Sequence, residues 1–391
     1  MTTTISSDQP LLDAVRQIAH DVAAPNADSV DREARFPAES IDALREARAL
    51  SALVPASLGG GGIDLATVAA ACRELGQACG ASAMVFAMHQ IQLAAIVRHL
   101  RSGSWFESYL ADLCREQRLI ASVTSEVGTG GDMGRSIAAV ETTSESGRRF
   151  EKQAPTVSYG AYADDLLTTL RAGPEAEAND QVAVLTHKQQ TELEPTGTWD
   201  VLGMRGTCSP GSIVRAEFAA EQVLEEPFAR VAAESMVPIS HVLWSHLWLG
   251  IAEDAFERSR NFVRAAARRT PGTTPPAAQR LSHVMTELSM LRAAVEAGLH
   301  DYLQMSEGPA REQLSTMSAR LRFNNLKLAA SEQAVDVCRG AMDVCGIVGF
   351  KNDTPFSVGR HLRDTMSAPL MIANERIHQN NAGLLLIAKE V

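Results

Sequence analysis

Apolar positions fall into three textures along the chain. From Leu11 to Ala23 they recur at 11, 12, 15, 18 and 22, close to the period of about 3.6 residues expected of an amphipathic helix. Pro37 opens a second helical pattern with Ile41 and Leu44 on its inner side. Asp64 is placed to cap a third, with Leu65, Val68, Ala69, Cys72 and Leu75 on one face, and Ser82 to cap a fourth running to His99. Residues 1–118 therefore predict an α-helical domain.

The pattern then shortens. Residues 119–226 are rich in Gly, Thr, Ser and Val, and the runs Asp180–His187 and Ile213–Phe218 have strand-like length and content. Gly203, Gly206, Pro210 and Gly211 mark turns, and Ala172–Asn179 reads as a solvent loop. This predicts a central β-domain, a barrel or sandwich. Residues 227–391 return to long helical patterns at about 238–269, 277–306, 310–345 and 361–388, separated by Thr270–Pro276 and by Gly349 and Pro355. Four such helices predict a bundle. The fold class is mainly α with a central β-domain, and no strand–helix alternation suggests a nicotinamide-type dinucleotide fold.

Composition narrows the function classes. The 391 residues are 45% hydrophobic and carry a net charge of −11, which argues against a nucleic-acid backbone as partner. The most apolar run, Val242–Ala252, contains Ser245 and His246 and soon meets Glu253 and Asp254, so no membrane span is expected. The stretch Met1–Pro10 lacks a basic and apolar leader pattern, which predicts a cytoplasmic protein. Cysteines at 72, 79, 114, 208, 338 and 345 form no CxxC pair and read as reduced core thiols; no metal site is expected.

Two glycine-rich stretches carry different signals. Gly59–Gly62 lacks the Lys-Ser/Thr ending of a phosphate loop and reads as a connection between helices. Ser122–Asp132 places three glycines within four positions beside Thr124, Ser125 and Thr129. Such a loop can hold a flat heterocycle or a diphosphate, and it also has the composition of a β-turn cluster.

Residues 122–132 resemble the Thr-Glu-Pro-Gly-x-Gly-Ser-Asp loop of the acyl-CoA dehydrogenase flavoprotein superfamily. Ser125 stands at a flavin-contacting Thr, Val127 at Pro and Gly131 at Ser. Thr156–Asp164 resembles the family's Trp-Ile-Thr strand, with Thr156 at the Trp and Ser158 at its Thr, and Leu202–Arg205 resembles a Leu-Gly-Met-Arg turn. Arg268 and Gln279 keep the spacing of a pair that holds the adenine dinucleotide. Ala341–Phe350 resembles a Gln-(x)₂-Gly-Gly segment, with Asp343 at the Gln and Gly346 and Ile347 following. Arg363-Asp364 resembles the pair that opens the final helix, and Asn374 stands at a Thr bordering the cofactor. The resemblance implies FAD, a homodimer or homotetramer, and an electron-transfer flavoprotein or flavin reductase as partner. It also implies that Ser125 and Ser158 donate hydrogen bonds to the flavin.

The departures bear on the reaction. The family's base, a Glu nine residues after the Arg of that pair, falls on Ile372, and the minority position on the first bundle helix falls on Ser240. Glu375 is the nearest carboxylate, expected on the same helix as Ile372 and re-aimed toward the flavin; a paired surface side chain is the other reading. His89 is a second candidate for proton transfer, against a histidine packed between helices. His241, Trp244 and Trp248 are expected to line a substrate pocket. The expectation is an FAD-dependent dehydrogenase of an acyl thioester. The alternatives are a flavin monooxygenase or oxidase acting on another small hydrophobic substrate, and a flavoprotein without catalysis.

Overall fold

The computed structural model describes residues 8–388. Met1–Ser7, where the leader pattern was sought, lies outside the described residues. Six helices come first: α1 (Asp8–Ile18), α2 (Ala24–Glu33), α3 (Ala38–Glu46), α4 (Leu65–Ala78), α5 (Gly80–His99) and α6 (Trp105–Glu116). One turn of π-helix, Ala19–Ala23, joins α1 to α2. Asp64 caps α4 as expected, its carboxylate accepting from Thr67 N at 2.7 Å. Ser82 does not cap α5. The extended residue Cys79 alone separates α4 from α5, and Ser82 lies inside the second helix, fully buried. Helix α5 is long and apolar enough to cross a membrane by composition, but 89% of that window is buried inside the protein, so it is a core helix.

The middle of the chain forms two sheets. One has the order β1 (Ile120–Val123), β4 (Asp165–Arg171), β5 (Gln181–His187), with β1 parallel to β4. The other is antiparallel in the order β2 (Glu141–Thr142), β3 (Gly147–Ala154), β7 (Ser212–Ala219), β6 (Thr191–Pro195). Strands β5 and β7 are the two runs read from sequence. Strand β3 alternates exposed charges with buried Phe150, Lys152 and Ala154, the mark of a sheet with one wet face.

A short helix α7 (Phe228–Val231) leads into α8 (Val237–Arg269), α9 (Ala277–Met305) and α10 (Met317–Cys345). Helix α8 is the central rod, packed against α4, α9 and α10. It crosses α4 closely enough that a Cβ on Gly250 would stand 2.1 Å from Arg73 O, and one on Gly76 2.4 Å from Leu247 O. Trp248 is buried completely beside this crossing; burying such a side chain contributes about 1.5–3 kcal/mol.

The predicted helix over 361–388 is not continuous. After α11 (Ile347–Phe350) come α12 (Gly359–Thr365), a stretch of turns, and α13 (Asn374–Leu385). Pro369 cannot continue the ladder, and Ile372 and Ala373 adopt φ of 57° and 39°, which no L-residue holds inside a helix.

Candidate active site

The loop after β1 is built on a buried carboxylate. Glu126 accepts from Ile137 N at 3.1 Å and Ala138 N at 2.6 Å, and Lys152 of β3 lies 3.7 Å away. Lys152 is itself buried and donates to Thr169 O at 2.7 Å. Burial pulls its ammonium down to about 8, although Glu126 opposes the shift. These contacts fold residues 126–138 back on themselves. Gly128, Gly130 and Gly131 supply φ of 92°, 60° and 80°, and Val127 N donates to Gln153 O at 2.9 Å. Arg376 on α13 reaches across to donate to Gly130 O. The loop and the last helix therefore face each other across one site.

Two hydroxyls border this loop. Ser125 Oγ donates to Thr156 O at 3.0 Å. Ser158 Oγ lies 3.0 Å from Ser209 Oγ, which lies 2.9 Å from Thr207 Oγ1, which donates to Met204 O at 2.9 Å. Ser125 turns its proton toward Thr156 O, whereas Ser158 accepts from Ser209 Oγ and keeps its own proton available. Met204 N in turn donates to Asp364 Oδ1 at 2.7 Å, fastening the turn to α12. Burial lifts the Asp364 carboxyl to about 6.

The opposite wall is held by a second buried lysine. Lys327 of α10 is fully buried and donates to Ala368 O at 3.1 Å and to Asn374 Oδ1. These are the two ends of the turn that carries Ile372. Asn374 donates to Glu332 Oε1 at 2.9 Å, so it braces the turn from inside. Burial pulls Lys327 down to about 8 against the opposing pull of Glu332. Glu375 is not on a helix with Ile372. It stands exposed in the first turn of α13, after the left-handed break. Ser240 is buried and donates to Val237 O at 2.7 Å.

His89 reads from the structure as a core histidine. Its Nε2 donates to Leu50 O at 2.7 Å and its Nδ1 accepts from Ile120 N at 3.0 Å. Burial pushes it down to about 4, and neither ring nitrogen is left for proton transfer. His241 is likewise buried, donating through Nδ1 to Phe323 O at 3.0 Å, and burial and then Lys327 push it down to about 3. Trp244 and Trp248 follow it on α8, with ring centroids 6.2 Å and 6.4 Å apart along the series, and both indole N–H groups are buried without a protein partner.

The remaining cofactor positions lie elsewhere. Asp343, Gly346 and Ile347 line a groove of about 930 Å³ between α9 and α10, together with Glu287, Asp336 and Arg339. Arg268 and Gln279 are exposed on either side of the Thr270–Pro276 connection and are not in that groove. One chain thus brings Ser125, Val127, Gly131, Thr156 and Ser158 together, but not the adenine-side residues with them. Glu126, Lys152, Ser209 and Lys327 were missed from sequence. Only Glu126 had a signal, as the acidic residue of the glycine loop.

Residues 6–117 match the model of the acyl-CoA dehydrogenase N-terminal domain, and residues 229–380 that of the C-terminal domain. The chain belongs to the acyl-CoA dehydrogenase family. It is an enzyme-type flavoprotein fold throughout, and its similarities divide between two chemistries. It is 25% identical to the dibenzothiophene monooxygenase of Mycolicibacterium goodii, over 82% of this chain and 80% of that one. It is 23% identical to the cyclohex-1-ene-1-carbonyl-CoA dehydrogenase of Syntrophus aciditrophicus strain SB, over 96% and 89%. The crystal structure of FMN-bound TdsC from Paenibacillus sp. A11-2 superposes with a TM-score of 0.81 at 20% identity, covering 96% of this chain and 97% of that one. The family fixes a flavin oxidoreductase; whether the flavin is FAD or FMN is not fixed by it.

Proposed function

We propose that this member of the family is a flavin monooxygenase that takes reduced FMN from a separate reductase and oxygenates a small apolar substrate. The observation that carries the reading is the missing base. The two positions where the family's dehydrogenases hold a carboxylate are Ile372 and Ser240, and neither side chain can remove an α-proton. The uncharged His241 and the Trp244 indole support an apolar, aromatic-sized substrate rather than a charged one, with Trp248 packed behind them. When bound, reduced flavin supplies the electrons that activate oxygen. The chain's own residues then bind the ring through the glycine loop and the two serines, and exclude water with the α8 aromatics.

FMN is chosen with the monooxygenase reading: a flavin ring suits the glycine loop and its hydroxyls, and Arg268 lies outside the α9–α10 groove, which Arg280 and Arg339 line beside Asp336, Asp343 and Glu287. Exposed Ile347, Phe350, Leu370 and Leu386 support assembly as a homodimer or homotetramer. A second reading keeps the acyl-thioester dehydrogenase with Glu375 as base, FAD as cofactor and an electron-transfer flavoprotein as acceptor. Its support is the neighbour Arg376, whose bond to Gly130 O brings the start of α13 to the flavin loop. Incubation with reduced FMN, isotopically labelled oxygen and a panel of small aromatic thioethers and heterocycles tests the choice. Label in a product supports the oxygenase. No label, with desaturation of an acyl thioester instead, establishes the second reading.

A further inference from the structure

His241 of α8 is held in one tautomer. Its Nδ1 lies 3.0 Å from Phe323 O. A carbonyl oxygen has no proton to give, so the proton in that contact belongs to Nδ1. A neutral imidazole carries only one N–H, and burial and then Lys327 keep this ring neutral. Nε2 is therefore a bare lone pair. Among the described residues no group donates to it, yet it is not fully enclosed as the indole nitrogens of Trp244 and Trp248 are. The ring as a whole is only 2% exposed, so what reaches Nε2 reaches it inside the protein. Its place follows from α10. Phe323 stands one helical turn before Lys327, whose ammonium holds Ala368 O and Asn374 at the two ends of the turn carrying Ile372. Adjacent turns of α10 thus fix His241 and the position where the family's dehydrogenases hold their base.

We infer that His241 Nε2 is a specificity-determining acceptor, and that the substrate is a neutral aromatic molecule carrying an O–H or N–H donor, as a phenol or an N–H heterocycle does. The inference rests on the proposed reading that His241 and Trp244 border the substrate. A hydrocarbon or thioether of the same shape would displace water from Nε2 and leave the lone pair unmatched, which a buried polar group tolerates poorly. An ammonium donor would bring a second positive charge toward Lys327. His241 does not take the donor's proton, because a ring this reluctant to charge accepts a hydrogen bond and goes no further. Its part is to choose and orient the substrate.

The test is calorimetric binding, to the intact protein loaded with FMN, of pairs matched in shape and differing in the donor: phenol against fluorobenzene, and 2-naphthol against 2-fluoronaphthalene. Comparing the hydroxyl-to-fluoro affinity ratio of wild type with that of a variant cancels the difference in hydrophobicity within each pair. His241→Asn keeps a donor at the Nδ1 position for Phe323 O and removes Nε2. The ratio should fall about tenfold or more in this variant, from one hydrogen bond lost at a buried acceptor. His241→Phe should lower it as far, with the fluoro compounds bound at least as tightly as before. If both variants leave the ratios unchanged, or weaken both members of a pair equally, the acceptor role is wrong and the aromatic pocket stands. If none of the four compounds binds the wild type, or the protein takes up no FMN, the pocket reading is wrong and the inference falls with it.

Discussion

The two walls of the site have been treated differently by the sequence. On the β-domain side, a buried Glu126–Lys152 pair, three left-handed glycines and a chain of hydroxyls hold the glycine loop in one shape. On the helical side, the turn between α12 and α13 is held as firmly by Lys327 and Asn374, but the position it presents is an isoleucine. Buried polar groups are costly unless fully paired, and both walls pair theirs. The scaffold that places a base is intact and the base is absent. On the proposed reading, cofactor binding and proton abstraction are separable parts of this fold, and this chain retains the first.

The largest effect is expected on the cofactor wall. Glu126→Ala leaves two backbone N–H groups and a buried ammonium unpaired, and should cost about 3–5 kcal/mol in denaturant unfolding, with loss of FMN binding. An intact loop in that variant would mean that the carboxylate does not organise it. His89→Leu leaves Leu50 O and Ile120 N unpaired and should cost about 2–4 kcal/mol without changing the pH profile of turnover. A shifted profile at unchanged stability would restore His89 as a proton-transfer group.

Lys327→Met should cost less, about 1–3 kcal/mol at neutral pH, because the lost bonds are offset by removing a buried charge. The pH dependence sharpens this. The folded protein holds the Lys327 proton only up to about 8, whereas the unfolded chain holds it to the ordinary lysine range near 10.5. Between those values the unfolded state binds more protons, so stability of the wild type relative to Lys327→Met should rise with pH across that window and be level below it. A difference that is flat through the window would contradict the buried-cation account. The smallest effect is expected at Glu375. Glu375→Gln should change oxygenation by less than about twofold, whereas a general base would cost about 10²-fold or more.

The helices were largely legible because their apolar periods are long and their breaks carry Pro and Gly. The exception was 361–388. Pro369 was visible there, but the left-handed pair Ile372–Ala373 is set by Lys327 from another helix, which no local pattern reports. The missed strands β3, β4 and β6 lacked a clean apolar alternation in sequence: β3 alternates in burial but points Lys152 inward, β4 is buried on both faces, and β6 is a polar edge strand. Of the site, the glycine loop and Ser125 and Ser158 could be read from the chain. Their partners could not, because Ser125 donates to Thr156 O and Ser158 accepts from Ser209, 31 and 51 residues further along the chain. His89 looked chemical because its residue type is; only its two backbone partners show that it is structural.

The central claim is that this site holds flavin but cannot abstract an acyl α-proton. Anaerobic mixing of the FMN- or FAD-loaded protein with acyl thioesters of short, medium, long and cyclic acyl groups, followed at the flavin absorption band, tests it most directly. The account predicts an unbleached band on every addition, with the same protein fully reduced when a flavin reductase and its nicotinamide donor are added. Bleaching by any thioester within seconds, abolished by Glu375→Gln, would contradict it.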